Sequence, residues 1–145
     1  KIVFSPGPGR PVNAGMMNEI INKYKKDVPM LGICLGHQAI AEVFNGSIIK
    51  SPEVCHGKVR SIAHNLNCQI FKGIPKVFRA TRYHSLIVNE HDLSQSFRIT
   101  AKTVRDNLIM GIEHRKYSIY GLQFHPESIA SEYGDLIIKN FLDIV

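Results

Sequence analysis

Short apolar strands alternate with amphipathic helices near the start of the chain, and this alternation constrains the fold more than any other sequence feature. An apolar run at residues 2–4 leads into a loop rich in Gly and Pro at residues 5–11. Asn13 is a candidate cap for a helix, a strand is predicted over residues 30–33, and a second helix over residues 36–44. This order is typical of an α/β domain with parallel strands, whose ligands bind just beyond the carboxyl ends of those strands.

The middle of the chain has a different predicted secondary structure, because short β-rich runs replace the helices. Strands are predicted over residues 47–50, 58–63, 77–81, 97–102, 109–114 and 119–124. A final amphipathic helix is predicted over residues 129–145, with four residues towards a core: Leu136, Ile137, Asn140 and Phe141. No repeat or linker interrupts the 145 residues, so we predict a single domain over 1–145.

The charge and the apolar runs bear on the partners of the chain. The formal net charge is +6, from 18 Lys and Arg against 12 Asp and Glu. These basic residues are scattered and no aromatic stacking pattern accompanies them, which argues against nucleic acid as a partner. Gly, Pro or a charge breaks every apolar run before the length of about 18 residues that crosses a membrane. We therefore expect a soluble protein with no membrane partner.

The cysteines and histidines argue against a disulfide framework and against a metal site. The chain has three cysteines, Cys34, Cys55 and Cys68. Their odd number and irregular spacing favour a reducing compartment. We expect the cytoplasm, with an organelle left open because the chain begins at Lys1 without an initiator Met. Neither C-x-x-C nor H-E-x-x-H occurs, so we predict no metal and no cofactor.

A candidate nucleophile lies between the second strand and the second helix. The run Gly32-Ile33-Cys34-Leu35-Gly36 has the form G-x-C-x-G, the thiol version of a nucleophile elbow. Glycines on both sides allow the tight turn that lifts the sulfur above the sheet edge, and the N-terminus of the following helix favours a thiolate. The alternative is that Cys34 is a small buried apolar residue, as many free cysteines are.

A candidate base and its orienting carboxylate follow the last predicted strand. His125 and Glu127 are two positions apart, so both side chains can leave the same face of the chain. A cysteine nucleophile needs an imidazole to handle protons, and the imidazole needs a carboxylate to fix its tautomer. A His-x-Glu pair is common in surfaces and cores, so only its combination with Cys34 favours catalysis.

The loop at residues 5–11 resembles a phosphate-binding loop only superficially. The G-x-G-x-x-G pattern would need glycine at position 12, where Val12 stands. Alternating prolines instead make the loop stiff, and Gly7 leaves its backbone N–H open to an incoming oxygen. A structural turn without a function is the alternative.

Taken together, these motifs resemble the class I, or triad, glutamine amidotransferases. The closest resemblance within that family is to the glutaminase subunits of anthranilate synthase and aminodeoxychorismate synthase. The matching segments, in family order, are Ser5-Pro-Gly-Pro-Gly9, Gly32-Ile-Cys-Leu-Gly-His-Gln-Ala-Ile40, His56-Gly-Lys58, Arg82-Tyr-His-Ser-Leu86 and Gly121-Leu-Gln-Phe-His-Pro-Glu-Ser128.

The resemblance implies a fold and a role for each matching residue. It implies a three-layer, flavodoxin-like α/β fold with an open, mostly parallel sheet and helices on both faces. Cys34 would be the nucleophile, His125 the acid and base, and Glu127 its orienting group. The N–H groups of Gly7 and Leu35 would form the oxyanion hole. The residues implied to bind substrate are Gly7, Pro8, Gly9, Gln38, Ser85 and Leu86.

The resemblance also implies an activity and a partner. The chain would hydrolyse L-glutamine and pass ammonia to chorismate bound on a large synthase subunit, in tryptophan biosynthesis. Aminodeoxychorismate synthesis for folate, or service to both partners, is the alternative. Further alternatives are a stand-alone γ-glutamyl thiol hydrolase and an inactive regulatory subunit. Residues 56–58 and 82–84 are expected to face the partner, in a group distinct from the GMP synthetase and carbamoyl phosphate synthetase relatives.

Two departures from the family pattern accompany this resemblance. Val59-Arg60 follows His56-Gly-Lys58 where the family usually has Thr-Ser, so the contacts of that loop differ. Family members also open with a further strand-helix-strand unit, which takes about 30 residues. We therefore expect the chain to be incomplete at its N-terminus.

Overall fold

A computed structural model describes residues 1–65 and 67–145 of the chain. Within these ranges three α-helices form, and their bounds are Met17–Tyr24 (α1), Leu35–Val43 (α2) and Gly134–Leu142 (α3). The strands of the same ranges are Ile2–Phe4 (β1), Met30–Ile33 (β2), Ile48–His64 (β3), Val77–Val88 (β4), Phe97–Thr103 (β5), Ile109–His114 (β6) and Ile119–Leu122 (β7). None of the described helices has the length and apolar character of a membrane span.

All these strands belong to one open sheet, in the order β1-β2-β7-β6-β5-β3-β4. Strands β1, β2 and β7 are parallel, whereas every other neighbouring pair is antiparallel. The α/β class and the open sheet are confirmed, but the sheet is mixed where the sequence predicted it mostly parallel. Connectivity is one reason, since β5 to β6 and β6 to β7 are joined by connections too short for a parallel crossover.

Alternate residues of the central strands feed two separate cores on opposite faces of the sheet, as the period of a strand requires. Met30 of β2 packs with Ala39 and Ile40 of α2 in one core. Leu31, the next residue, packs in the other core, which includes Ile137 of α3. The expected arrangement of helices on both faces is therefore confirmed, and the carboxyl ends of β1, β2 and β7 share one edge.

Three predicted helix starts differ from the structure. Asn13 caps no α-helix but ends a 3₁₀ turn, Pro11–Asn13, and Met16 precedes α1. The second helix begins one residue earlier than predicted, at Leu35. The last helix begins at Gly134 rather than residue 129, because Gly134 packs directly against the Pro126 carbonyl and a left-handed Tyr133 precedes it.

Candidate active site

Cys34 occupies a strained turn between β2 and α2. Its φ is 53° and its ψ is −101°, a conformation that L-residues rarely adopt. A Cβ at Gly36 would lie 2.5 Å from the Phe4 carbonyl oxygen, and one at Gly32 would meet the backbone of Gly36. Only glycine therefore allows the two strand ends and the helix to approach so closely. The backbone N–H of Cys34 donates to Leu122 of β7 at 2.7 Å, which fixes the turn to the sheet.

The sulfur of Cys34 is enclosed, with only 6% of the residue exposed. Burial raises the pKa of its thiol to about 11, since an apolar enclosure penalises the thiolate. The Leu35 backbone N–H and the Gln123 side chain oppose this rise, whereas the charge of Glu127 adds to it. The Sγ atom lies 3.7 Å from the Tyr83 carbonyl oxygen, which can accept only from a protonated thiol. Cys34 is therefore a thiol at neutral pH, where the sequence predicted a thiolate, because burial outweighs the effect of the helix N-terminus.

A cavity of about 130 Å³ opens over Cys34. The loop at residues 5–11 and the end of β4 form its walls, and its lining residues are Gly7, Pro8, Gly9, Cys34, Gln38, Tyr83, His84, Ser85 and Leu86. All the residues predicted to bind substrate thus line one cavity together with the predicted nucleophile. A small-molecule site is expected to have this concave form with a few polar groups.

The two residues predicted to supply the oxyanion donors, Gly7 and Leu35, pack against each other. A Cβ at Gly7 would be 3.0 Å from Cδ2 of Leu35, so the loop lies against the first residue of α2. The N–H of Leu35 is in the first helical turn, where backbone N–H groups have no partner within the helix. It faces the Cys34 sulfur, and its dipole lowers the pKa of that thiol. The Leu35 N–H acts on the sulfur and Gly7 lines the cavity above it, so an oxyanion hole made by these two residues stays a prediction.

His125 and Glu127 form the predicted pair. Nδ1 of His125 lies 2.8 Å from Oε1 of Glu127. The backbone N–H of His125 donates to Thr81 of β4 at 3.0 Å, which ties this segment to the edge strand. Nε2 of His125 is buried and has no partner among the described residues. With Glu127 accepting from Nδ1–H, the free Nε2 is the nitrogen available for proton transfer.

Tyr83 connects the nucleophile and the base. Its carbonyl oxygen faces the Cys34 sulfur, while its ring packs edge-on against the His125 ring with 5.1 Å between centroids. The sequence motif contained Tyr83, but its role as the shared neighbour of both groups had no local signal. The meeting of Cys34 and His125 at one reaction centre stays a prediction.

The prediction that residues 82–84 face a partner is wrong for two of the three. Arg82 is fully buried and His84 is 6% exposed, whereas Tyr83 is 44% exposed. The physical reason is the period of β4, which turns alternate side chains inward. Burial, and then the charge of Arg82, lowers the pKa of His84 to about 4, so its ring is neutral.

Solved structures define the class of fold. A putative GMP synthase protein from Thermoplasma acidophilum superposes with a TM-score of 0.84 at 27% identity, covering 97% of this chain and 69% of that one. A glutamine amidotransferase from Thermotoga maritima superposes with a TM-score of 0.72 at 21% identity, covering 97% of this chain and 59% of that one. The chain thus has the fold found in glutamine amidotransferases.

Sequence comparison identifies the family. The model of the family described as glutamine amidotransferase class-I matches residues 1–145. Anthranilate synthase component 2 of Pyropia yezoensis is 44% identical over 144 residues, which cover 99% of this chain and 75% of that protein. Aminodeoxychorismate synthase component 2 of Escherichia coli K12 is 45% identical over 142 residues, with 98% and 75% covered. This chain belongs to the class I glutamine amidotransferase family, as its motifs predicted.

A third relative is a longer protein. The bifunctional protein TrpGD of Thermotoga maritima is 47% identical over 143 residues, which cover 99% of this chain. The chain spans only 24% of the length of that relative.

Proposed function

We propose that the chain hydrolyses the side-chain amide of L-glutamine, with Cys34 as nucleophile, His125 as acid and base, and Glu127 as the group that orients His125. The observation that carries this proposal is the strained Cys34 turn beneath a cavity lined by the residues that the motifs predicted. The 2.8 Å contact between His125 and Glu127 supports the assignment of the proton-transfer pair.

The first half of the reaction forms a thioester. Because burial raises the pKa of the Cys34 thiol to about 11, its proton must leave as the sulfur attacks, and Nε2 of His125 takes it. The sulfur–carbon bond forms and the amide oxygen becomes an oxyanion facing the N–H groups of Gly7 and Leu35. The carbon–nitrogen bond then breaks, and His125 returns the proton to the departing ammonia.

The second half restores the enzyme. Water attacks the γ-glutamyl thioester while His125 accepts a proton from that water. The sulfur–carbon bond breaks, the thiol regains a proton from His125, and glutamate leaves. Glu127 holds the tautomer of His125 through both halves.

The ammonia is proposed to serve a second polypeptide. The relatives named component 2 of anthranilate synthase and of aminodeoxychorismate synthase support a partner that is a chorismate-binding large subunit. We favour anthranilate synthesis for tryptophan, with aminodeoxychorismate synthesis for folate, or service to both, as the alternative. The free cysteines of the described chain support a reducing compartment such as the cytoplasm.

The test replaces the nucleophile and compares two nitrogen sources. With the large subunit present, Cys34→Ala should reduce glutamine-dependent synthesis on the order of a thousandfold or more, and leave ammonium-dependent synthesis unchanged. Cys68→Ala, a buried cysteine outside the cavity, is the matched control and should retain both reactions. Equal loss with both nitrogen sources in Cys34→Ala would contradict the proposal.

Further measurements on the same chain and complex distinguish the competing functions. Hydrolysis of γ-glutamyl peptides by the chain alone would identify a stand-alone thiol hydrolase. Failure of a glutamine-like diazo ketone to label Cys34 in the complex would identify an inactive regulatory subunit. The identity of the aminated product distinguishes the anthranilate from the aminodeoxychorismate partner.

A further inference from the structure

A buried side-chain amide that the motifs did not single out contacts the nucleophile. Gln123 is fully buried just after β7, and its Nε2 lies 3.6 Å from Sγ of Cys34. We propose that Gln123 is a positioning residue that donates this hydrogen bond to the sulfur and stabilises the thiolate during attack. The inference rests on the proposed function, in which Cys34 is the nucleophile.

The orientation of the Gln123 amide follows from its contact with Gln38. Nε2 of Gln38 lies 3.1 Å from the Leu86 carbonyl oxygen and 3.2 Å from Oε1 of Gln123. A carbonyl oxygen can only accept, so the atom of Gln38 beside Leu86 must be the NH₂ group. Its second hydrogen then points at Gln123, which must present its oxygen there. The NH₂ group of Gln123 is therefore the end that faces Cys34.

A chain of hydrogen bonds from Arg82 through His84 to the Leu86 carbonyl oxygen requires the same orientation of the Gln38 amide. Nε–H of Arg82 can only donate, and it lies 3.0 Å from Nε2 of His84, so that ring nitrogen accepts. Nδ1 of His84 must then carry the hydrogen, which it donates to the Leu86 carbonyl oxygen at 2.9 Å. Both lone pairs of the Leu86 oxygen are thereby filled by donors, His84 and Gln38. Reversing the amide of Gln38 would place two oxygens together.

The donor at the sulfur matters because the site is enclosed. A thiolate in an apolar enclosure loses its hydration, and each remaining donor is worth more there than in water. The Tyr83 carbonyl oxygen contacts the same sulfur but stabilises only the thiol. Gln123 is a donor to both forms and a stronger one to the anion, so it shifts the balance towards the thiolate.

The test measures the reactivity of Cys34 without glutamine or a partner. Iodoacetamide alkylates only the thiolate, and peptide mass spectrometry assigns the modified cysteine. In Gln123→Met, which keeps the length but removes the donor, alkylation of Cys34 should be about tenfold slower at pH 8. Its pH profile should move upward by about one pH unit. Gln95→Met, a matched change at an exposed glutamine, should leave the profile unchanged.

The activity of the complex gives a second readout. Gln123→Met should lower kcat for glutamine about tenfold and leave KM within about twofold, because the hydrogen bond matters most when the sulfur is anionic. An unchanged alkylation profile in a folded Gln123→Met protein would overturn the inference. A wild-type complex without glutaminase activity would instead refute the proposed function, and the alkylation result would stand.

A measurement on the unsubstituted chain covers the case in which Gln123→Met does not fold. The side-chain carbonyl carbon of Gln123, observed by ¹³C NMR, should shift with pH in step with the alkylation of Cys34. The shift should disappear in Cys34→Ala, and the corresponding carbon of Gln95 should not follow the thiol in either protein. A Gln123 signal that ignores the ionisation of Cys34 would overturn the inference.

Discussion

Two regions beside the cavity over Cys34 are built in different ways. The elbow wall, residues 32–38, is buried throughout and held by backbone contacts with Phe4 and Leu122. The hairpin wall, residues 50–58 and 82–86, belongs to β3 and the edge strand β4. It has two register shifts and a left-handed glycine, Gly57, with φ of 72°.

This difference between the elbow wall and the hairpin wall indicates that they have different tasks in the site. Close packing makes the elbow wall rigid, so it can hold a strained nucleophile in one geometry. The hairpin wall exposes Val54 and Tyr83 to solvent, and its residues 83–86 line the cavity. Irregular edge strands of this kind are where a partner can contact a site without disturbing its core. Changes in the elbow wall should therefore cost stability, whereas changes at the exposed residues of the hairpin wall should cost activity alone.

The largest effect is expected at the tightest contact of the elbow wall. Gly36→Ala places a Cβ 2.5 Å from the Phe4 carbonyl oxygen, and overpacking of this kind should lower the free energy of unfolding by about 3 kcal/mol. Glutaminase activity should be lost with it, because the turn at Cys34 cannot keep its geometry. Urea unfolding and glutamine hydrolysis measure the two effects.

The matched control is Gly15→Ala, at a glycine with φ of 65° and no neighbour within 4 Å of the added Cβ. Backbone strain alone should cost this variant about 1 kcal/mol, and its activity should be unchanged. If both variants lose the same stability, close packing of the elbow wall is not what holds the nucleophile.

The next effect is an acid sensitivity of the elbow wall. His37 is fully buried over Gly121, and burial first, then the charge of His84, lowers its pKa to about 3. The unfolded chain, with an ordinary histidine pKa near 6.5, therefore binds more protons between about pH 6.5 and pH 3. The contribution to stability is complete above pH 6.5 and declines as the pH falls through that window.

Urea unfolding at pH 7.5 and pH 5 measures this decline. His37 should account for a loss of about 2 kcal/mol at pH 5, so the difference between the two pH values should shrink by that amount in His37→Met. His91→Met, at an exposed histidine, should keep the wild-type difference. An unaltered pH difference in His37→Met would show that His37 is not held neutral.

In both walls, the sequence predicted features that depend on neighbouring residues better than features that depend on distant ones. The bounds of β1, β2 and β6 agree with the predicted runs, because each is an apolar segment ended by nearby Gly, Pro or charged residues. The elbow was predictable for the same reason, since its glycines and Cys34 are adjacent in sequence. The direction of the strands was not, because periodicity is the same in parallel and antiparallel sheets.

The hairpin wall was predicted less well. The sequence indicated two separate strands where Ile48–His64 is one, because β3 carries polar residues and register shifts that hide its alternation. Gln123 was missed because its partners, Gln38 and Cys34, are 85 and 89 positions away. A single buried amide has no pattern of its own, and only the folded chain brings these three side chains together.

The hairpin wall itself is tested first at Tyr83. Removing its ring in Tyr83→Ala exposes His125 to solvent and removes the edge-on contact at 5.1 Å. We expect kcat/KM for glutamine to fall about tenfold while the free energy of unfolding changes by less than about 1 kcal/mol. Tyr24→Ala, at a partly exposed tyrosine of α1, should leave activity unchanged. A large loss of stability in Tyr83→Ala would mean that both walls are structural.

The smallest effect is expected at the ion pairs that brace the outer side of the hairpin. Oε1 of Glu53 lies 2.9 Å from Lys58 and 2.7 Å from Arg60, and these two hydrogen bonds lower the pKa of its carboxyl to about 2. Ion pairs accessible to solvent contribute little to folding, so Glu53→Gln should unfold at nearly the wild-type urea concentration.

The same change frees two cations on a surface proposed to meet the partner. It should therefore alter the salt dependence of subunit binding, measured by titration calorimetry at low and high ionic strength. Glu90→Gln, which breaks the single pair with Lys102, is the control and should change neither quantity. If Glu53→Gln destabilises the isolated chain instead, the hairpin wall is held by its charges, and the division between a rigid wall and an adaptable one fails.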